Sequence, residues 1–290
     1  MELLKTLYVI HAPSYHEWPM ITFVWEYVNE YIPEAEMRMD EWGNLYITKG
    51  KDESGFPTLV CHLDQVQTLH SEDFKVREED RILFGWSEQN QRREGLGADD
   101  KNGIWVSLRC LEQCPRLKVF MAVGEEKGCI GSNRADMSFF KDSLYVLEPD
   151  CKGDEEIHIN LKGIPCASED FVNALQSEDN GYTITDGKGS DIFALTLNGI
   201  GVSCANIPAG YHLPHKDEEY TVVTELEHCL EFVLHVIQTL QQPFPHFFKT
   251  DTQLKVEEFR KKIDDDNKTM ITERDLKQKM GEIKKSWCFF

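Results

Sequence analysis

The chain has 290 residues, of which 41% are hydrophobic and 28% are charged. This length and composition support one substantial hydrophobic core with room for an appendage. The formal net charge of −20 argues against nucleic acid or an anionic membrane surface as a partner, and it favours metal cations. No secretion signal or membrane-spanning stretch is apparent, and the nine cysteines are scattered, mostly in apolar contexts. The sequence therefore predicts a soluble, cytoplasmic protein with buried free thiols.

Helices and strands alternate along most of the chain. A first helix is predicted over roughly 1–10, and a Ser-x-x-Glu capping box formed by Ser14 and Glu17 predicts the start of a second. Further helices are predicted after GADDKNG and over TVVTELEHCLEFVLHVIQTL. Strands are predicted at MRMDEWGNLYITKG, PTLVCHLD, LKVFMAV, DSLYVLEPD, IHINL, YTIT and GIGVSCAN, and a hairpin in FKVREEDRILFGW. This order predicts a three-layer α/β/α fold around a mostly parallel mixed sheet.

A domain boundary is predicted at the proline- and phenylalanine-rich stretch QQPFPHFF. It divides a catalytic body, 1–243, from a tail, 244–290. The tail is highly charged and partly helical in pattern, and Thr272 is a candidate cap for one of its helices. We predict that the tail forms a solvated helical appendage that docks on the body or on a partner.

Two acidic motifs follow predicted strands or open a predicted helix, where sites form in open α/β sheets. His62 and Asp64 in VCHLDQV are two residues apart, so both point to the same side of a strand, and the carboxylate can fix the tautomer of a metal-binding imidazole. A purely structural His–Asp pair is the alternative. Asp99 and Asp100 in GLGADDKNGI precede a helix, and an acidic N-cap explains one of them better than two.

A third motif, GEEKGCIGS, places two carboxylates side by side at the end of the apolar run LKVFMAV. Burying either costs several kcal/mol unless it is paired or binds a metal. Because neighbouring side chains diverge at a strand end, one of Glu125 and Glu126 can hold a metal while the other faces a water molecule. Metal-assisted hydrolysis needs this combination of ligand and free base. A solvated turn is the alternative.

The last candidates lie late in the chain. Asp150 ends the apolar strand that contains LEPD, and His212 and His215 lie in the Gly- and Pro-containing stretch GYHLPHKDEEY, which we predict to be a loop. A single histidine in a loop is most often a solvated side chain. The order of all these motifs is more specific than any one of them.

The motifs are, in order, HxD, GADDK, GEExGxxGS, a strand-end Asp and a late His before Glu-Tyr. The order of the motifs resembles that of the di-zinc exopeptidase superfamily over roughly residues 1–240. This group includes peptidase T, carboxypeptidase G, the aminoacylases and the bacterial leucyl-aminopeptidase type. The resemblance implies two divalent metal ions, most commonly Zn²⁺, with Co²⁺ or Mn²⁺ as alternatives. The implied ligands are His62, Asp99, Glu126, Asp150 and His215. His62 and Asp150 would hold one ion, Glu126 and His215 the other, and Asp99 would bridge them.

The resemblance also implies a division of roles around the metals. Glu125 would be the general base that activates a metal-bridging water, and Asp64 would orient His62. The final ligand leaves a choice, because His215 fits the spacing His-x-x-x-Glu and His212 fits the pattern Tyr-His-x-Pro. We predict His215, with His212 as the alternative.

The chain departs from the branch of the family that carries an inserted lid and dimerisation domain. Only 36 residues, 151–186, separate Asp150 from GKGSD, too few for such a domain, so we expect a lidless protein that is a monomer or weak oligomer. GKGSD resembles the family's substrate loop, and the candidate substrate contacts are Ser190, Asp191, Asn206 and Tyr211. The implied function is hydrolysis of short peptides, as an aminopeptidase or a di/tripeptidase. The alternatives are an N-acyl-amino-acid deacylase and an inactive binding module.

Overall fold

The computed structural model describes residues 1–51, 54–247 and 250–270. The α-helices in these residues are α1 (Glu2–Val9), α2 (Trp18–Tyr31), α3 (Ala98–Gln113), α4 (Glu169–Leu175), α5 (Asp191–Leu197), α6 (Val223–Thr239) and α7 (Thr250–Met270). The strands are β1 (Ala35–Met39), β2 (Leu45–Lys49), β3 (Phe56–His62), β4 (Phe74–Glu79), β5 (Ile82–Ser87), β6 (Arg92–Glu94), β7 (Leu117–Ala122), β8 (Ser143–Lys152), β9 (Glu156–Leu161), β10 (Ile164–Pro165), β11 (Thr183–Gly187), β12 (Cys204–His212) and β13 (Tyr220–Val222).

The strands form one mixed sheet in the order β1-β2-β7-β3-β8-β12-β13-β5-β4. Its four central strands, β7, β3, β8 and β12, are parallel to one another, and the strands on both flanks pair antiparallel. The predicted α/β fold with a mixed sheet is therefore confirmed, and the parallel part is its centre. The predicted hairpin is also confirmed as β4 and β5, which extend the sheet beyond β13.

Helices cover both faces of the sheet because the central strands alternate two sets of apolar side chains. Leu59 and Cys61 of β3 pack in one core with α1, α2, α3 and α6, whereas Val60 faces a second core with α5 and α7. Burial on both sides explains why these strands are mostly apolar. The three-layer arrangement leaves the ends of the central strands as the open edge of the sheet.

The start of α2 differs from the prediction. The helix begins at Trp18, and no side chain caps it, so the predicted capping box of Ser14 and Glu17 is wrong. The Ser14 hydroxyl donates instead to Asp64 at 2.6 Å, and Glu17 accepts from the backbone of Tyr15 and Gly124. A buried carboxylate elsewhere in the chain competes for the same hydroxyl, and the local sequence pattern does not show it.

Strand β12 also differs from the prediction, because it continues six residues past GIGVSCAN and ends at His212. Register shifts on either side of Pro208 interrupt its pairing with β8. Proline cannot donate to a ladder and usually marks a bulge, which is why the sequence pattern placed a loop here. His212 therefore lies on a strand end, and His215 lies in the loop that follows.

The segment that would hold an inserted domain folds against the main sheet. Strand β9 pairs with β10 and β11, and Asn206 of β12 pairs with His158 of β9. At the other end of the chain, Phe259 of α7 packs edge-on against Phe193 of α5, with 5.5 Å between ring centroids. The predicted helix capped by Thr272 lies outside the described residues. All eight cysteines within the described residues are free.

None of the helices in residues 1–51, 54–247 and 250–270 combines the length and the apolarity that crossing a membrane requires.

Candidate metal centre

The predicted site residues come together at the carboxyl edge of the parallel strands. His62 is the last residue of β3 and pairs with Ala122, the last residue of β7, which leads directly into the two glutamates. Asp150 lies near the end of β8, and β12 leads into the loop that carries His215. The residues that end or follow four neighbouring strands therefore lie close together, as expected at the ligand-binding edge of an α/β sheet.

The Asp99 carboxylate lies between two imidazoles, one from the end of β3 and one from the loop after β12. Its Oδ1 is 3.0 Å from His62 Nε2, and its Oδ2 is 3.1 Å from His215 Nε2. The backbone of Asp99 and Asp100 is non-helical at the start of α3, and the peptide bond between them is cis. Its contacts with His62 and His215 show that Asp99 faces the strand ends, and no side chain caps α3.

Asp100 has a different role from Asp99. Its Oδ2 accepts from the backbone N–H of His62 at 3.1 Å, and its Oδ1 accepts from that of Gly103 at 3.0 Å. Both oxygens are thus occupied by the main chain of β3 and α3. This arrangement leaves Asp99 and Asp150 as the carboxylates that face His62 Nε2, at 3.0 and 3.7 Å.

The orientation of His62 suits metal binding. Its Nδ1 lies 3.0 Å from the main-chain oxygen of Asp64 and 3.4 Å from the Asp64 carboxylate. A carbonyl oxygen only accepts, so Nδ1 carries the hydrogen and the neutral ring presents its lone pair at Nε2. That lone pair points among carboxylate oxygens, which is favourable when a cation lies between them.

A second indication that the centre fits cations is a buried oxygen without a hydrogen bond. His215 Nε2 lies 3.1 Å from Glu126 Oε1 and 3.1 Å from Asp99 Oδ2, but its single hydrogen serves only one of them. Glu126 Oε1 is buried and is left without a hydrogen-bond donor. The potential ligand atoms of Asp99, Glu126 and His215 all lie within 4.8 Å of one another, as do those of His62, Asp100 and Asp150.

The pKa values of the groups in the centre also indicate that it suits cations. Burial opposes protonation of His62, but Asp150, Asp64 and Asp99 raise its pKa well above the ordinary value. Hydrogen bonds to Asp99 and Glu126 raise the pKa of His215 to about 10. Burial raises the pKa of Asp150 to about 8, and the nearby charge of Asp99 adds to this effect. These carboxylates thus favour positive charge nearby, and divalent cations would supply it, because they bind nitrogen and oxygen ligands.

Glu125 also lies close to the candidate ligands, because its carboxylate and the ligand atoms of His62 and Glu126 are within 4.8 Å of one another. It begins a 3-10 turn just after β7, and its Oε1 accepts a weak hydrogen bond from the Cys129 thiol at 3.4 Å. Burial raises the pKa of Glu125 well above its ordinary value, and the charges of Asp191, Asp150 and Glu126 add to this effect against the opposing charge of His62. A carboxylate in such surroundings is well placed to accept a proton.

Asp64 organises the chain around the two glutamates. Its Oδ1 accepts from the backbone N–H of Glu125 at 2.9 Å, and its Oδ2 accepts from the N–H of Glu126 at 3.3 Å and from the Ser14 hydroxyl at 2.6 Å. Asp64 also contacts His62 Nδ1 through both its carbonyl and its carboxylate oxygens, and its predicted orienting role stays a prediction.

Two of the candidate substrate contacts lie against Asp150. The Tyr211 hydroxyl donates to the main-chain oxygen of Asp150 at 3.2 Å, and its oxygen lies 3.4 Å from the Asp150 carboxylate. The Asn206 side-chain oxygen accepts from the Asp150 N–H at 3.2 Å. Both side chains are buried, so these contacts support Asp150 in place.

The other two candidates, in GKGSD, are also buried and already partnered. Ser190 donates to Glu148 at 2.5 Å, and Asp191 accepts from the Ser132 hydroxyl at 2.6 Å. Sequence reasoning missed both partners. Glu148 in LEPD and Ser132 in GEEKGCIGS stand inside the quoted motifs, so their proximity to the site residues was the available signal.

The two late histidines have separate surroundings. His212 Nε2 lies 2.6 Å from Glu225 of α6, and its ring stacks on Tyr220, with 4.9 Å between centroids. His215 faces Asp99 and Glu126. The structure therefore brings His215, and not His212, to the other candidate ligands.

Sequence reasoning also missed Glu219, although it quoted this residue in the spacing His-x-x-x-Glu. Glu219 is fully buried, and its Oε2 accepts from the backbone N–H groups of Gly97 at 2.6 Å and Ala98 at 3.2 Å. These residues immediately precede Asp99. Glu219 thereby ties the loop that carries His215 to the start of α3, where Asp99 lies.

The fold is shared with solved peptidase structures, although sequence similarity is low. No protein-family model matches the chain, and no curated protein sequence matches it significantly. The aminopeptidase PepT of Bacillus cereus superposes with a TM-score of 0.68 at 15% identity, covering 83% of this chain and 98% of that one. A tripeptidase of Staphylococcus aureus gives 0.65 at 15% identity, with 83% and 97% covered. An aminopeptidase of the archaeon Desulfurococcus kamchatkensis gives 0.60 at 19% identity, with 83% and 95% covered.

Proposed function

We propose that the chain is a metal-dependent exopeptidase that hydrolyses short peptides, with aminopeptidase or di/tripeptidase action. The observation that carries this proposal is the Asp99 carboxylate, whose two oxygens face His62 and His215 from opposite sides. A carboxylate in this position suits a bridge between two cations. The shared fold supports the proposal, because the solved structures include proteins named as aminopeptidases and a tripeptidase.

Two divalent ions, most commonly zinc, match the donor set. His62 and Asp150 would hold one ion, Glu126 and His215 the second, and Asp99 would contribute to both. Bound there, the ions supply Lewis acidity and lower the pKa of a coordinated water. Glu148, Asn206 and Tyr211 hold Asp150 and the adjoining GKGSD loop in position through the hydrogen bonds described above.

Glu125 performs the proton transfers in this mechanism. It takes a proton from the attacking water as the water oxygen adds to the scissile carbonyl carbon. It then gives that proton to the leaving amine nitrogen as the carbon–nitrogen bond breaks, which restores the carboxylate. Asp64 holds the Glu125 backbone through its N–H and so keeps the base in place.

The substrate class follows from the openness and charge of the centre. His215 is about half exposed, with a side-chain exposure of 49%, whereas His62 and Asp150 are buried, so access is from the His215 side. The carboxylates at this opening favour a positively charged group such as the free amino terminus of a peptide. We further propose a monomeric or weakly associating cytoplasmic protein, which the eight free thiols in the described residues suit.

Metal analysis combined with peptidase assays tests this function. Wild-type protein should bind about two divalent ions and cleave di- and tripeptides that have a free amino group. Glu125→Gln should retain the metals and lose at least about 10²-fold in kcat, the scale expected of a general base. Retained activity in Glu125→Gln would contradict the mechanism.

A substrate panel separates the alternatives. Hydrolysis of N-acyl amino acids with no cleavage of free peptides would indicate a deacylase that uses the same centre. Neither activity in the metal-loaded protein would indicate a binding module.

A further inference from the structure

Four consecutive backbone N–H groups, those of residues 123–126, donate to side-chain oxygens from other parts of the chain. In order, the acceptors are Asn44 Oδ1 at 3.1 Å, Glu17 Oε1 at 3.1 Å, Asp64 Oδ1 at 2.9 Å and Asp64 Oδ2 at 3.3 Å. The segment that follows β7 is therefore held by a cradle of side chains from other parts of the chain. The position of Glu125 depends on this cradle.

Glu17 is the member of the cradle with no other evident task. Its side chain is buried, with 7% exposure, yet it does not cap α2, which begins at the next residue. The helix uses only the main-chain oxygen of Glu17, which accepts from Met20 and Ile21. The carboxylate reaches across to Gly124 and also accepts from the N–H of Tyr15 at 2.9 Å through the same oxygen.

The contact to Gly124 falls where the chain turns. Gly124 has a positive φ of 63°, and a β-carbon there would lie 3.2 Å from Ile130, so the turn has little freedom to adjust. The next two residues carry Glu125 and Glu126. Fixing the Gly124 N–H therefore fixes the direction in which both glutamate side chains leave the backbone.

We propose that Glu17 is a positioning residue for Glu125, acting through the Gly124 N–H. This inference rests on the proposed function, in which Glu125 is the general base. Glu17 acts through its reach and not through its charge. A side chain of the same length that keeps one acceptor oxygen should work, and a shorter carboxylate should not.

The substitutions Glu17→Gln and Glu17→Asp separate reach from charge. Glutamine keeps an oxygen that can accept from both Gly124 and Tyr15, whereas aspartate keeps the charge but is one methylene too short. Glu17→Ala removes both properties. Glu26→Ala is the control, because Glu26 is an exposed glutamate on α2, the helix that follows Glu17.

The variants are compared by kcat and KM on a tripeptide with a free amino terminus, by bound metal and by unfolding temperature. We expect Glu17→Asp and Glu17→Ala to lose about 10- to 100-fold in kcat with little change in KM or metal content, the scale expected of a misplaced catalytic group. Glu17→Gln and Glu26→Ala should stay within about threefold of wild type.

Several results would overturn the inference. If Glu17→Asp retains full kcat while Glu17→Gln loses it, Glu17 acts by charge. If Glu17→Asp fails to fold, or loses activity only because metal is lost, its role is structural. A wild-type chain without peptidase activity would instead reject the proposed function. An active wild type, an inactive Glu125→Gln and an unchanged Glu17→Asp would reject the positioning role alone.

Discussion

The buried carboxyl of Glu219 should make the metal-free protein less stable as the pH rises. Glu219 Oε2 accepts two backbone N–H groups just before Asp99, and its Oε1 is buried without a partner. Burial raises the pKa of Glu219 from 4.5 to about 7, and the nearby charge of Asp99 adds to this effect. The perturbation is Glu219→Gln, which keeps an acceptor oxygen and removes the ionisation.

The magnitude follows from the difference in pKa between the folded and unfolded chains. The folded state holds the proton more tightly, so this contribution to stability is fully present below pH 4.5 and is lost as the pH rises through 7. Each unit of pKa difference corresponds to about 1.36 kcal/mol, which gives a total of about 3 kcal/mol. Most of that loss, about 2–3 kcal/mol, falls between pH 5 and pH 8.

Urea unfolding of chelator-treated protein at several pH values measures this contribution. The free energy of unfolding of Glu219→Gln, relative to wild type, should rise by about 2–3 kcal/mol from pH 5 to pH 8. Glu218→Gln is the control, because Glu218 is the exposed neighbour, and its curve should run parallel to that of wild type. Parallel curves for Glu219→Gln and wild type would refute the reasoning, since Glu219 would then titrate alike in both states.

Two further predictions concern the metals. His215→Ala should reduce bound metal from about two ions per chain to about one. His212→Ala, which removes the partner of Glu225, should retain both ions. Elemental analysis measures the metal content, and equal losses in the two variants would contradict the assignment of His215. Chelation should lower the unfolding temperature by about 5–10 °C more at pH 8 than at pH 6. Burial raises the pKa of Asp150 to about 8 and that of Asp191 to about 7. Both carboxyls therefore become charged between pH 6 and pH 8, and without cations this charge is not compensated. A fall in unfolding temperature that is the same at both pH values would contradict the prediction.

The sequence predicts the strands that consist largely of apolar residues and the site motifs at the ends of these strands. The strands β3, β7 and β8 are buried on both faces, so each is mostly apolar, and acidic residues or histidine follow or end these strands at the open edge. The convergence of His62, Glu126 and Asp150 follows from this parallel arrangement. Their roles came from the resemblance and not from the pattern alone.

The cradle around Glu125 could not be predicted in the same way. Its donors are backbone N–H groups, which every residue except proline carries, and its acceptors Glu17, Asn44 and Asp64 are distant in sequence. Ser14 and Glu17 match a helix-capping pattern well, but tertiary partners compete for both side chains. Likewise, Pro208 and Gly210 predict a loop, but the strand continues through a bulge to His212.

The unequal burial of the two histidines gives the proposed pair of metals unequal kinetics. His62 is almost completely enclosed, with 1% side-chain exposure, whereas His215 is 49% exposed on a loop where its own φ is positive at 66°. An ion held by His215 would be accessible to solvent at this exposed side chain, whereas an ion held by His62 would be enclosed by protein. We expect the outer ion to exchange faster, and metal supply in the cell would then set activity through that ion.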